Sequence, residues 1–154
     1  PICKFDIAKL SNIKNDAIKS ILSAKLLEAQ NRGISISVEI EETVSNFRIE
    51  LLDFITVLSV LCDNAIEATI KATSPRMTVA FMNNDDSLVL IVENSIKSEK
   101  VDVSHIFARG YSSKGEGRGL GLHNVNSILE KYPKSTITTR SANHLFSQTI
   151  RFCK

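Results

Sequence analysis

Apolar residues recur at helical spacing through residues 11–30 (SNIKNDAIKSILSAKLLEAQ), where Ile13, Ala17, Ile21 and Leu22 are expected on one face. Asn31-Arg32-Gly33 follows, with Gly33 suited to the left-handed position that ends a helix. Residues 34–40 (ISISVEI) alternate apolar and polar, the pattern of a half-buried strand. The period then returns to helical over residues 49–72. Leu51, Ile55, Leu58, Cys62, Ala65 and Ile66 share a face there, and Ser74-Pro75 stops the helix. Two apolar runs, 77–82 and 88–93, flank Asn83-Asn84-Asp85-Asp86, a hairpin turn. Residues 95–118 keep no period and read as a long loop, which in a compact domain is functional or mobile. Residues 119–132 read as a helix ended by Tyr132-Pro133. Residues 135–140 and 145–152 read as two more strands around Ser141-Ala142-Asn143-His144. Helices interposed among hairpin-linked strands predict an α/β (α+β) two-layer sandwich. Its sheet is mixed and largely antiparallel, with helices on one face. A doubly wound dinucleotide fold is excluded, because no strand leads directly into a glycine loop.

Composition narrows the classes. The 154 residues are 43% hydrophobic and 23% charged, enough apolar material for one packed core. A net charge of +2 gives no concentrated basic face and hence no reason to expect nucleic acid. No apolar run reaches the ~18 residues of a membrane span, so no membrane contact by this chain is expected. Cys3, Cys62 and Cys153 are far apart and form no CxxC, which suits a reducing cytoplasm rather than a disulfide framework. The chain begins at Pro1 without an initiator Met and is expected to be part of a longer protein.

Three features carry chemistry. Residues 112–125 (SSKGEGRGLGLHNV) hold four of the six glycines, Gly115, Gly117, Gly119 and Gly121, with Lys114 and Arg118 among them. Glycines ahead of a helix leave backbone N–H groups open to phosphate oxygens, and the helix dipole and the two cations favour the same anion. The spacing is not that of a P-loop. A flexible hairpin or linker would use the same residues. In the long helix, Leu61-Cys62-Asp63-Asn64-Ala65-Ile66-Glu67-Ala68 places Asp63, Asn64 and Glu67 on or near one polar side. That side is either a solvated face or a set of oxygen ligands for Mg²⁺, which takes a few protein oxygens with phosphate oxygens and water. Third, Val89-Leu90-Ile91-Val92 ends in Glu93-Asn94-Ser95, where a polar residue closing a buried strand is either a turn or a group that reads a base edge.

Taken together, the three resemble the ATP-binding (Bergerat) domain of the GHKL superfamily, to which sensor histidine kinases, gyrase, Hsp90 and the MutL proteins belong. LCDNAIEA resembles the N box and IVENS occupies the place of the first glycine box. IFARGYSSK resembles the F box and lid, and GRGLGLHNV resembles the second glycine box, GxGLGL. The likeness covers residues 34–152 in order. DNAIEA with SSKGEGRGLGL most resembles the peptide-pheromone receptor kinases of Gram-positive quorum sensing. The resemblance implies that Asn64 coordinates Mg²⁺ against ATP and that Lys114, and Arg118 with it, meet the phosphates. It implies that Gly115, Gly117, Gly119 and Gly121 let the backbone wrap those phosphates while Leu120 and Leu122 anchor the turn. Phe107 and Tyr111 pin the lid, residues 95–118, or pack as ordinary loop residues. The lid is expected to be mobile without nucleotide. Residues 1–32 are expected to be a helical lead-in, either the end of a dimerisation hairpin or a linker, and residues 33–154 the catalytic domain.

Two departures from the family pattern bear on function. The usual DxGxG has Asn94 in place of its Asp and lacks both glycines. The amide can accept the adenine amino hydrogen bond only without charge assistance, so weak nucleotide affinity is expected. One turn before Asn64, where hydrolysing members place a Glu base, stands Val60, which cannot accept a proton. That favours a kinase over an ATPase. His105, His123 and His144 do not lie on a helix ahead of the N box. The phosphoacceptor His is therefore expected upstream, on a helical hairpin of the same membrane-anchored, dimeric kinase, with a response regulator downstream. The rivals are a GHKL serine kinase of the anti-sigma type and a non-catalytic GHKL interaction module.

Overall fold

The computed structural model describes residues 7–103 and 120–153. Three helices, α1 (Asp16–Asn31), α2 (Leu51–Thr69) and α3 (Leu120–Leu129), accompany five strands: β1 (Ser35–Ile40), β2 (Arg76–Asn83), β3 (Leu88–Ser95), β4 (Thr136–Ala142) and β5 (Leu145–Phe152). The sheet order is β1-β2-β3-β5-β4. β1 runs parallel to β2, and every other pair is antiparallel. The expected mixed, largely antiparallel sheet is therefore the one observed.

Local chemistry explains the elements. Asn15 caps α1 by accepting a hydrogen bond from the Ile18 amide at 3.0 Å, so the helix starts later than the apolar stripe alone indicates. At its other end Gly33 has φ +84°. The Gly33 and Ile34 amides reach back to the carbonyls of Gln30 and Ala29, a left-handed closure that spares a side chain the strain. The β2–β3 turn is held by Asn84, whose side-chain oxygen accepts from the amides of Asp86 and Ser87. In the β4–β5 turn both central residues, Asn143 and His144, have positive φ, as a tight two-residue hairpin requires. Glu99 stabilises that turn: its carboxylate accepts from the Asn143 amide and its carbonyl from the His144 amide.

The core lies between sheet and helices. Alternation turns Val38 and Ile40, Met77, Val79 and Phe81, Leu88, Leu90 and Val92, and Ile150 and Phe152 toward α2, and all are buried. α2 lies across β3 and has α1 and α3 as its helical neighbours. Its inner face is wider than the expected stripe. Phe54, Val57, Leu58, Leu61, Cys62, Ala65 and Ile66 are buried, whereas Leu51 is exposed and Ile55 only half-buried. In α1 the buried set is Ile18, Leu22, Leu26 and Ala29, one position on from Ala17 and Ile21. The shift follows from α2: the side of α1 that meets it is fixed by packing, and Ala17 is too small to compete with Ile18 for that side.

Candidate functional site

The outer side of α2 carries the polar residues of LCDNAIEA, and the neighbouring helices sort them. Lys25 of α1 donates to Asp63 Oδ1 at 2.7 Å. Burial alone would lower the Lys25 pKa, but this hydrogen bond and the Asp63 charge raise it. Asp63 is thus committed to α1. Asn64 and Glu67 are both half-buried farther round the helix. Among the described residues no cluster of three or more His, Cys, Asp or Glu could hold a metal ion. Asn64 carries an amide oxygen, the kind of ligand that Mg²⁺ takes together with phosphate oxygens and water.

Asn94 sits at the end of β3 on the helix-facing side, between Met77 of β2 and Phe146 of β5, and is buried. Its amide nitrogen donates to the Ser95 carbonyl at 3.0 Å. With the nitrogen engaged, the side-chain oxygen is the atom with which Asn94 can accept a donor such as an exocyclic amine. The next residue fixes this strand end in place. Ser95 Oγ shares a 2.7 Å hydrogen bond with Thr69 Oγ1 at the end of α2 and donates to the Ser74 carbonyl. The Arg76 amide donates to both hydroxyl oxygens, so the ends of α2 and β3 and the start of β2 form one satisfied buried network.

α3 completes the arrangement. Its backbone starts at Leu120, immediately after the glycine-rich stretch. Gly121 lies against α2: a methyl group built on its Cα would stand 3.2 Å from Val60 Cγ1. Val60 precedes Asn64 by one helical turn, so the opening of α3 and Asn64 lie along one side of α2. Leu122 packs at the same place, against Ile96 and Phe146 as well as the main core. Phe146 is the register partner of Asn94, so the first turn of α3, the last turns of α2 and the end of β3 converge. Lys114, Gly115, Gly117, Arg118 and Gly119 lie outside the described residues, as do His105, Phe107 and Tyr111. His123 is half-buried on α3, and His144 is exposed in the β4–β5 turn, its Nδ1 3.1 Å from the Lys97 carbonyl.

The Lys25–Asp63 pair was hidden from sequence reading because its partners are 38 residues apart. The Thr69–Ser95 network was hidden for a similar reason, although the buried hydroxyls at the ends of two apolar elements were its only local trace.

The fold has known counterparts. The nucleotide-free catalytic domain of histidine kinase ThkA superposes with a TM-score of 0.73 at 21% identity, covering 92% of each chain. In sequence the chain is similar to sensor histidine kinase DcuS of Escherichia coli, 29% identical over 144 residues. That alignment covers 90% of this chain and 26% of DcuS. It is also similar to sensor protein CitS of Bacillus subtilis, 29% identical over 125 residues, covering 78% of this chain and 23% of CitS. A Bacillus subtilis protein named as a probable C4-dicarboxylate sensor kinase is 25% identical over 126 residues, covering 78% of this chain and 24% of that protein. The chain thus spans about a quarter of the length of these relatives. The family model described as the GHKL domain matches residues 49–153, the stretch from the start of α2 to the end of β5 that holds Asn64, Asn94 and Gly121, and the chain belongs to the GHKL domain family.

Proposed function

We propose that this chain is the catalytic, ATP-binding domain of a sensor histidine kinase and that it passes the γ-phosphoryl of ATP to a His on a separate helical hairpin of the same kinase. The observation that carries the reading is that the glycine-preceded start of α3 lies against Val60, one turn before Asn64, while Leu122 packs on Phe146, the register partner of Asn94. Asn64 supplies an amide oxygen to Mg²⁺, and Asn94 offers its oxygen to the adenine amino group. Gly115, Gly117, Gly119 and Gly121 present backbone N–H groups to the phosphates, with Lys114 and Arg118 adding positive charge. Leu120 and Leu122 hold the turn. Mg²⁺, when bound, neutralises phosphate charge and orients the transferred group. Val60 next to this site has no proton-accepting atom, which supports transfer to an imidazole nitrogen over hydrolysis by water.

The sensor kinases among the relatives support a response regulator as the eventual acceptor and a cytoplasmic position for this domain. Among the described residues no helix is long and apolar enough to cross a membrane. The narrower assignment to peptide-pheromone receptors rests on DNAIEA and SSKGEGRGLGL alone, and the relatives do not support it, one of them being named as a probable C4-dicarboxylate sensor kinase.

The test is calorimetric titration of Mg-ATP and Mg-ADP into the wild type and Asn64→Ala, together with phosphoryl transfer to a histidine hairpin supplied in trans. Asn64→Ala is expected to stay folded and to lose Mg²⁺-dependent transfer. Transfer at the wild-type rate by that variant would remove Asn64 from the site, and a wild type that binds no nucleotide at millimolar concentration would overturn the reading.

A further inference from the structure

Val60 is more than the absence of a base. It lies on the stripe of α2 that also carries Asn64, four residues on and so about 6 Å farther along the axis. It is half-buried and packs against the main core, and its Cγ1 atom occupies the space a Cβ at position 121 would need, leaving 3.2 Å. That separation is tighter than ordinary contact between such atoms, and neither partner can yield freely. Val60 has a single preferred rotamer on a helix, and α3 is seated on the same core, along the face that carries Gly121, by the buried Val125 and Leu129 one and two turns on.

We infer that Val60 is a positioning residue whose bulk, matched to the bare Cα of Gly121, sets the gap between the opening of α3 and Asn64, and so the width of the phosphate site. The inference rests on the nucleotide reading above and adds a second reason for glycine at 121: the residue must clear α2 as well as any ligand. A larger residue at either position lifts the first turn of α3 away from Asn64. A smaller residue at 60 makes room for a side chain at 121.

Titration of Mg-ADP, with melting temperature measured alongside, tests the pair in four variants. Gly121→Ala is expected to weaken binding roughly tenfold, the scale of an overpacked contact, with only a small drop in melting temperature, since the helix preference of alanine offsets part of the strain. Val60→Ala combined with Gly121→Ala should recover most of that affinity. Val60→Thr, which keeps the shape and changes the polarity, should bind as the wild type does. Val60→Leu closes the gap from the opposite side and should weaken binding even if Gly121→Ala proves unstable. Wild-type affinity in Gly121→Ala or Val60→Leu overturns the inference, as does a double variant no better than the single one. Each of those results leaves nucleotide binding by the wild type intact, whereas failure of the wild type itself to bind overturns the nucleotide reading and this inference with it.

Discussion

The two ends of α2 are built on opposite principles. At its start, Phe54 is fully buried with Phe47, Phe81 and Phe152 around it, at ring-centroid distances of 4.9, 6.2 and 5.0 Å. At its other end the buried groups are polar: Thr69, Ser95 and Asn94 lie under the helix with their hydrogen bonds made within the fold. An aromatic cluster tolerates no guest and gives most per unit area, so it suits anchoring. A buried polar network is costly if any member goes unsatisfied, so it is expensive to keep where an apolar core would do. Its presence separates the part of the helix that holds the domain together from the part beside the proposed nucleotide site.

Substitutions can break this contrast, and the largest expected effect is at the aromatic end. Phe54→Ala should cost about 3–5 kcal/mol in denaturant unfolding. Nucleotide affinity of the molecules that remain folded should not change. A loss of affinity with little loss of stability would mean that the two ends are not separate.

At the polar end the expected effect is intermediate. Asn94→Asp would turn a carboxylate oxygen toward the Ser95 carbonyl, where an amide N–H now donates. Apo stability should fall by about 1–3 kcal/mol, the cost of an unmatched buried acceptor. A variant as stable as the wild type would show that this position takes an Asp freely, and the preference for Asn would then have to lie in the ligand.

The smallest effect is on the surface near the start of α2. Tyr132 Oη donates to Asp53 Oδ2, and Lys131 Nζ lies 2.9 Å from the same atom. The Tyr132 hydrogen bond foremost, with Lys131 behind it, lowers the Asp53 pKa below its ordinary 3.8. A depressed carboxylate adds stability above its unfolded value, and that stability is lost as pH falls through the folded value. Tyr132→Phe should therefore cost about 1 kcal/mol near neutrality. The difference from wild type should shrink once pH drops below 3.8, as read from denaturation midpoints across an acid series.

Much of this was legible in the chain. Among the described residues, period and punctuation located the five strands and the three α-helices, because Gly33, Ser74-Pro75 and Asn83-Asn84-Asp85-Asp86 act locally. Parallel pairing of β1 with β2 was not legible, since it depends on where α2 carries the chain before it returns. In the candidate site, Asn64 and Asn94 stand out as polar residues within apolar elements. The commitment of Asp63 to Lys25 and the seating of Gly121 on Val60 do not, because each joins segments that only the fold brings together.

The buried face of α1 has a consequence for autonomy. The match to the GHKL family model begins at residue 49, yet Ile18, Leu22, Leu26 and Ala29 have no exposed surface and share one core with α2. Each of the three larger side chains contributes about 1.5–3 kcal/mol by burial, comparable in sum to the whole net stability of an ordinary domain. The segment that the family model matches is thus shorter than the segment that builds this core. Cutting the chain at residue 49 would keep every residue proposed to touch nucleotide and still yield no molecule to hold it.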